Sequence, residues 1–266
     1  AVDGRMRTGG KWNLLKHMLD DTQTKGNQRQ ALCRLIHKHR QEGGTEETLL
    51  DEVANRYLPL GAGRSEEYPE IECDTVKELD DPFTESEIRA VLHNLNSRSA
   101  SGPDGISNRL LRNLDDRSIE MLTKEVNKTW ESGSVPAEWK AASIVLIPKP
   151  GKPLNLDNLR PISLTSGVGK VAEHAILNRI SNYIERKELF PHNMIGFRPG
   201  LSTQDVMLLL KKHIFDNNTR DVRGILALDL TKAFDTVSHR FDLQATASLG
   251  LGAKFQAFVR SFLMNR

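Results

Sequence analysis

Cysteine is almost absent from this 266-residue sequence, which holds only Cys33 and Cys73. Two thiols cannot build a disulfide framework or a four-ligand zinc site, and their scarcity suits a reducing compartment. No apolar run approaches the roughly 18 residues of a membrane-spanning helix, so neither a span nor a membrane partner is expected. The opening Ala1-Val2-Asp3-Gly4-Arg5 lacks the apolar core of a secretory signal. An initial Met is missing as well, and the chain reads as a fragment. Tyrosine is scarce, with three in all, the last at Tyr183. Charge of one sign is also lacking: 37 Lys+Arg stand against 35 Asp+Glu. What remains, 38% hydrophobic and 27% charged, describes a soluble globular chain and excludes a fibrous or wholly disordered one. The length is ample for one large domain or two small ones.

The charge is unevenly placed. Residues 59–82 hold 2 basic and 8 acidic residues, with Pro and Gly at the near end, and read as an acidic, poorly packed linker. Residues 83–266 carry 25 Lys+Arg against 19 Asp+Glu. Such a surplus is compatible with a polyanionic partner and equally with a solvated surface.

Periodicity gives the elements. Residues 11–58 read as helices that form a connector, with Leu14, Leu15, Met18 and Leu19 on one face and Leu49, Leu50, Val53, Ala54 and Tyr57 on another. Thr84-Glu85-Ser86-Glu87 is a capping box, and Ile88, Val91, Leu92 and Leu95 follow at helical spacing. Ser99-Ala100-Ser101-Gly102-Pro103-Asp104-Gly105 breaks that helix. A second helix spans roughly 116–131. Ala142 to Ile147 is short, apolar and β-branched, which predicts a buried strand. Pro148-Lys149-Pro150-Gly151-Lys152-Pro153 ends it, Arg160 to Leu164 is extended, and 168–188 is a long helix. Ser202-Thr203-Gln204-Asp205 caps another helix through His213. Arg223 to Leu230 is apolar without alternation, predicting a strand covered on both faces. Helices at about 240–249 and 253–263 close the chain.

That second strand ends on Asp229. A carboxylate there either caps the following turn or binds a hard cation such as Mg²⁺. Asp235, among Phe234, Thr236 and Val237, reads as a local cap. The segment Leu226-Ala227-Leu228-Asp229-Leu230-Thr231-Lys232-Ala233-Phe234-Asp235-Thr236-Val237-Ser238-His239 resembles the first catalytic motif of reverse transcriptases from non-LTR (LINE-type) retrotransposons. Three further blocks match that family in order. They are Ser99 to Ile106 with its Gly-Pro-Asp-Gly, Ile147 to Leu164 with Ile-Pro-Lys-Pro-Gly-Lys and Leu-Arg-Pro-Ile-Ser-Leu, and Met194 to Asp205 with Gly-Phe-Arg-Pro-Gly.

The resemblance implies an α+β right-hand polymerase fragment, mainly helical with a few short strands. Its parts would be a helical connector at 1–58, the acidic linker at 59–82, and a truncated domain of fingers and partial palm at 83–266. It implies two-metal nucleotidyl transfer, with Mg²⁺ (or Mn²⁺) held by Asp229 and the Leu230 carbonyl. Lys149 and Arg160 would grip the incoming triphosphate, a point charge and a bidentate fork respectively. Phe234 would sit under the sugar, or be a plain core Phe, and Arg198 would lie near the nucleotide pocket. Gly102, Pro103, Asp104 and Lys152 would contact the template, although the first three equally make a simple helix–helix turn. Implied partners are an RNA template, a DNA primer and deoxynucleoside triphosphates, in an intracellular ribonucleoprotein of nucleus or cytoplasm.

The family also uses a later aromatic-X-Asp-Asp hairpin. Here no tyrosine follows Asp229, and the only acids after it are Asp235 and Asp242. One carboxylate cannot hold two Mg²⁺ at about 4 Å. The expectation is therefore a chain that does not polymerise alone and whose Asp229 strand lacks its hairpin partner. A non-catalytic RNA- or DNA-binding relic is the competing reading. A helical scaffold with chance matches is a third, and it would show no salt-dependent RNA binding.

Overall fold

In the computed structural model, residues 30, 33–57, 68–215, 222, 224–230 and 237–264 are described. The structure is mostly helical with one small sheet, a mixed α+β arrangement. Residues 33–41 are helical, and α1 (Glu46–Tyr57) follows a turn at Gly43. The remaining helices are α2 (Lys77–Asp80), α3 (Glu85–Asn94), α4 (Asn108–Leu111), α5 (Asp116–Ser132), α6 (Ala137–Lys140), α7 (Gly167–Arg186), α8 (Thr203–Leu210), α9 (His239–Ser248) and α10 (Ala253–Leu263). A π-turn, Lys211–Phe215, prolongs α8. Strands β1 (Ala142–Pro148) and β2 (Leu159–Thr165) pair antiparallel. None of the described helices is long and apolar enough to cross a membrane.

Helix starts follow local chemistry. At α3 the Thr84 hydroxyl accepts from the Glu87 amide, and the Glu87 carboxylate accepts from the Thr84 amide at 2.8 Å, the reciprocal box expected of that sequence. Asp115 caps α5 by accepting from Ser118 N at 2.9 Å, and Asp116 pairs with Arg89, so this Asp-Asp pair is structural. Ser202 and Asp205 form a second box at α8. The apolar faces of α3, α5, α7 and α10 then bury one core that contains Ile88, Val126, Trp130, Val171 and Phe258. Trp130 sits edge-on to Phe83, with ring centroids 5.3 Å apart.

Three expectations need correction. The acidic stretch is not poorly packed where it is described, because Tyr68, Leu79 and Asp80 are buried and Leu79 belongs to the core. Asp80, 4% exposed, accepts from Val76 N at 2.8 Å and from Lys254 N at 3.0 Å, so it caps both α2 and the start of α10. Gly252 has φ +92°, and a Cβ there would meet an Asp80 oxygen at 2.8 Å, so only glycine lets α10 approach this carboxylate. The net acidity hid a segment whose charges work as caps.

Strand β1 forms as expected but is not buried. Its first half is exposed on both faces, Ile144 and Val145 included, because a lone two-stranded ribbon has no layer against it. Residues 224–230 form no strand and are open to solvent, with Leu226 and Leu228 above 80% exposed. Apolar content alone does not make a strand, since the ladder needs a partner, and among the described residues none pairs with this segment. Leu14 to Leu19, Phe234 and Asp235 lie outside the described residues.

Candidate nucleotide and nucleic-acid site

The β1–β2 ladder runs Ala142↔Thr165 through Ile147↔Arg160 to Pro148↔Leu159. It places Arg160, on β2, and Lys149, the residue after β1, both at the loop end of the hairpin. Beyond the ladder, Lys149 N donates to Asn158 O at 2.7 Å and Lys149 Nζ to Asp157 O at 3.0 Å. The connecting loop is held by its own bonds: Asn155 Oδ1 accepts from Asn158 N, and Asn158 Nδ2 donates to Pro153 O. Lys152 is exposed on this loop. Helix α1 braces it from outside, with Arg56 on Asp157 at 2.9 Å and the Tyr57 hydroxyl on Leu159 O at 3.2 Å. The hairpin end thus presents two cations, and its nearby carboxylate is already paired.

The Gly-Pro-Asp-Gly loop docks where β2 passes into α7. Asp104 accepts from Ser166 Oγ at 2.8 Å, from Gly167 N at 2.7 Å and from Ile106 N at 3.0 Å. Burial alone would push this carboxyl up, but the Ser166 hydroxyl and the amides of Ile106, Gly167 and Val168 outweigh it and hold the pKa below the ordinary value. A Cβ on Gly102 would meet Thr165 O at 2.1 Å, so glycine is what permits the close approach. The loop is therefore more than a plain helix–helix turn. It is a clamp on the start of α7.

Arg198 is also committed. Its Nε and Nη2 donate to the two Glu185 oxygens at 2.9 and 2.6 Å, and Nη1 reaches Met194 O at 3.3 Å. Hydrogen bonding from Arg198 keeps the Glu185 carboxyl below its usual value and raises that of the guanidinium. A third charged anchor, Arg179, places its guanidinium 3.7 Å from the Phe83 ring centroid and forks onto Glu87 at 2.8 and 2.9 Å.

Asp229 and Leu230 are exposed. Among the described residues nothing hydrogen-bonds or ion-pairs with the Asp229 side chain, so it neither caps a turn nor meets Lys149 or Arg160. A magnesium pair asks for several carboxylate oxygens in one place. Among the described residues no three His, Cys, Asp or Glu side chains gather in that way, so these residues do not compose the site by themselves. Sequence reasoning missed Asp80, Arg179 and the Arg198–Glu185 fork. Glu185 lies 13 positions from Arg198, Glu87 92 from Arg179 and Lys254 174 from Asp80, and separations beyond a few helical turns leave no local pattern.

Residues 147–266 match the family described as Reverse transcriptase (RNA-dependent DNA polymerase). Among individual proteins, the chain is 31% identical over 189 residues to the probable RNA-directed DNA polymerase from transposon BS of Drosophila melanogaster, covering 70% of this chain and 20% of that protein. It is 31% identical over 232 residues to the RNA-directed DNA polymerase from mobile element jockey of the same species, covering 83% and 25%. The jockey counterpart of Drosophila funebris is 33% identical over 188 residues, covering 70% and 20%. The chain thus spans about a fifth to a quarter of the length of the curated relatives it matches.

Proposed function

We propose, since residues 147–266 belong to the reverse transcriptase family, that this chain forms the fingers and the start of the palm of an RNA-directed DNA polymerase from a non-LTR (LINE-type) retrotransposon. The observation that carries this reading is the β1–β2 register, which sets Lys149 and Arg160 at one end of a braced hairpin within the matched segment. There a lysine point charge and an arginine fork suit the oxygens of a deoxynucleoside triphosphate. The domain takes in residues 68–82, whose acids cap helices, and 1–58 serves as the connector. Gly102, Pro103, Asp104 and Lys152 face the RNA template in this reading, and Arg198 acts by holding its loop against α7. Phe234 lies beneath the nucleotide sugar.

Asp229, with the Leu230 carbonyl, is one contributor to a site for Mg²⁺ (or Mn²⁺), ions that would supply charge stabilisation to phosphoryl transfer. In this reading the 266-residue chain alone does not extend a primer, because one carboxylate cannot hold two Mg²⁺ at about 4 Å. The partners are an RNA template, a DNA primer and deoxynucleoside triphosphates, in an intracellular ribonucleoprotein. Equilibrium binding of a fluorescent deoxynucleoside triphosphate tests the hairpin. Lys149→Ala and Arg160→Ala should each weaken it about tenfold, as loss of a charge-assisted contact does. Unchanged binding in both would remove the assignment.

A further inference from the structure

Helix α1 ends on two adjacent residues, each tied to a neighbour of one hairpin cation. Arg56 Nη1 pairs with the Asp157 carboxylate at 2.9 Å, and the carbonyl of the same Asp157 is the acceptor for Lys149 Nζ at 3.0 Å. The Tyr57 hydroxyl lies against the Leu156 carbonyl and reaches Leu159 O at 3.2 Å, and Leu159 directly precedes Arg160. Apolar packing does not account for this attachment. A cavity of about 250 Å³ opens between the helical segment and the loop, walled by Leu35 and Leu49 on one side and Leu154 and Leu156 on the other. Side chains held apart by such a space forfeit most of their dispersion attraction. The ion pair and the tyrosine hydroxyl are what fix the loop to α1.

Charge gives the ion pair a second consequence. Asp157 is the only carboxylate between Ile147 and Arg160, and it sits on the loop that seats Lys149. A polyanion drawn to Lys149 and Arg160 would meet that negative charge, and Arg56 offsets it. The side chains of Arg56 and Asp157 are 42% and 71% exposed, and an ion pair in that setting adds little to the stability of the fold. Its effect is therefore on the local field at the hairpin end.

We propose that Arg56 and Tyr57, at the end of the connector helix, are positioning residues that set how tightly the hairpin holds a nucleoside triphosphate, a role that rests on the hairpin reading above. Arg56 acts by cancelling the Asp157 charge beside Lys149. Tyr57 acts by holding the backbone from which Arg160 departs. Neither touches the triphosphate. The connector thereby governs a binding site that its own sequence does not contribute to, from about a hundred positions upstream.

The test is equilibrium binding of a fluorescent deoxynucleoside triphosphate to the 266-residue chain. Arg56→Gln should weaken binding about fivefold, because it uncovers one negative charge beside a polyanion. Adding Asp157→Asn to that variant should restore binding to within about twofold of the parent, a rescue that a merely structural Arg56 would not show. Arg56→Gln should also keep the parent's urea midpoint. Tyr57→Phe should weaken binding about fivefold and raise hydrogen exchange across residues 154–159, with the core helices unaffected. Parent-like binding in either Arg56→Gln or Tyr57→Phe overturns the proposal, as does a loss in Arg56→Gln that Asp157→Asn fails to restore or that comes with a lowered midpoint. Lys149→Ala and Arg160→Ala are measured beside them. If those two leave binding unchanged, the hairpin reading itself fails; if they weaken it and the α1 variants do not, only the positioning role fails.

Discussion

The Asp104 carboxylate accepts a hydrogen bond from the Ser166 hydroxyl at 2.8 Å, joining residues 62 positions apart. Two blocks that looked like separate signatures in the sequence, the Gly-Pro-Asp-Gly loop and the end of the Arg-Pro-Ile-Ser-Leu strand, are one structural unit. The same carboxylate accepts from Gly167 N and so fixes the start of α7. That helix carries the Glu185 anchor, through which the loop at Arg198 is held.

Asp104 therefore couples stability to acid. Its folded pKa lies below the unfolded one, so the stabilisation is fully present above the ordinary carboxyl range and is lost as pH falls through the lowered value. Asp104→Ala is expected to cost about 1 kcal/mol at neutral pH. The difference from the parent should shrink on going from neutral pH to an acid pH below the ordinary carboxyl range. Urea unfolding at both pH values checks this, and a difference independent of pH would contradict it.

Asp80 is the stronger structural acid, because it is buried and serves two backbone donors, one four positions away at Val76 and one 174 positions away at Lys254. Asp80→Ala strands both amides and should destabilise the chain by about 2 kcal/mol. The checks are the urea midpoint and faster hydrogen exchange at Lys254.

How much of this was readable beforehand follows from range. The Thr84–Glu87 box, the Asp115 cap and the long α7 are local, so spacing alone placed them. The burial of 68–82 was not, since Asp80 reaches Lys254 and Tyr68 reaches His239 at 2.7 Å across the fold. The run at 224–230 differs for the opposite reason: its apolar pattern predicts a covered strand, but covering depends on neighbours that a pattern does not contain. For the candidate site, the matched motif singled out Lys149 and Arg160, and the pairing register then set them at one end of the hairpin. The tie between Arg198 and Glu185 left no trace in spacing.

That tie makes its own prediction. Glu185→Gln removes the charge that holds the Arg198 fork and should raise hydrogen exchange across residues 194–200, with α7 unaffected. Equal exchange in the parent and the variant would mean that the loop is held by something else.

Trp130 anchors the helical core between Phe83 and Phe258. Trp130→Ala should cost about 3–5 kcal/mol through the cavity it leaves. Its indole nitrogen is buried without a partner among the described residues, so Trp130→Phe loses no hydrogen bond to them and should cost clearly less. Thermal unfolding of the two variants side by side decides this.

Primer extension is the most direct test of the polymerase assignment. It is run with an RNA template, a DNA primer, Mg²⁺ and deoxynucleoside triphosphates. The 266-residue chain alone is expected to add nothing, whereas the jockey relative with its matched segment replaced by this chain should extend the primer and lose that ability in Asp229→Asn. Extension by the chain alone, or extension by the chimaera that survives Asp229→Asn, would contradict the account.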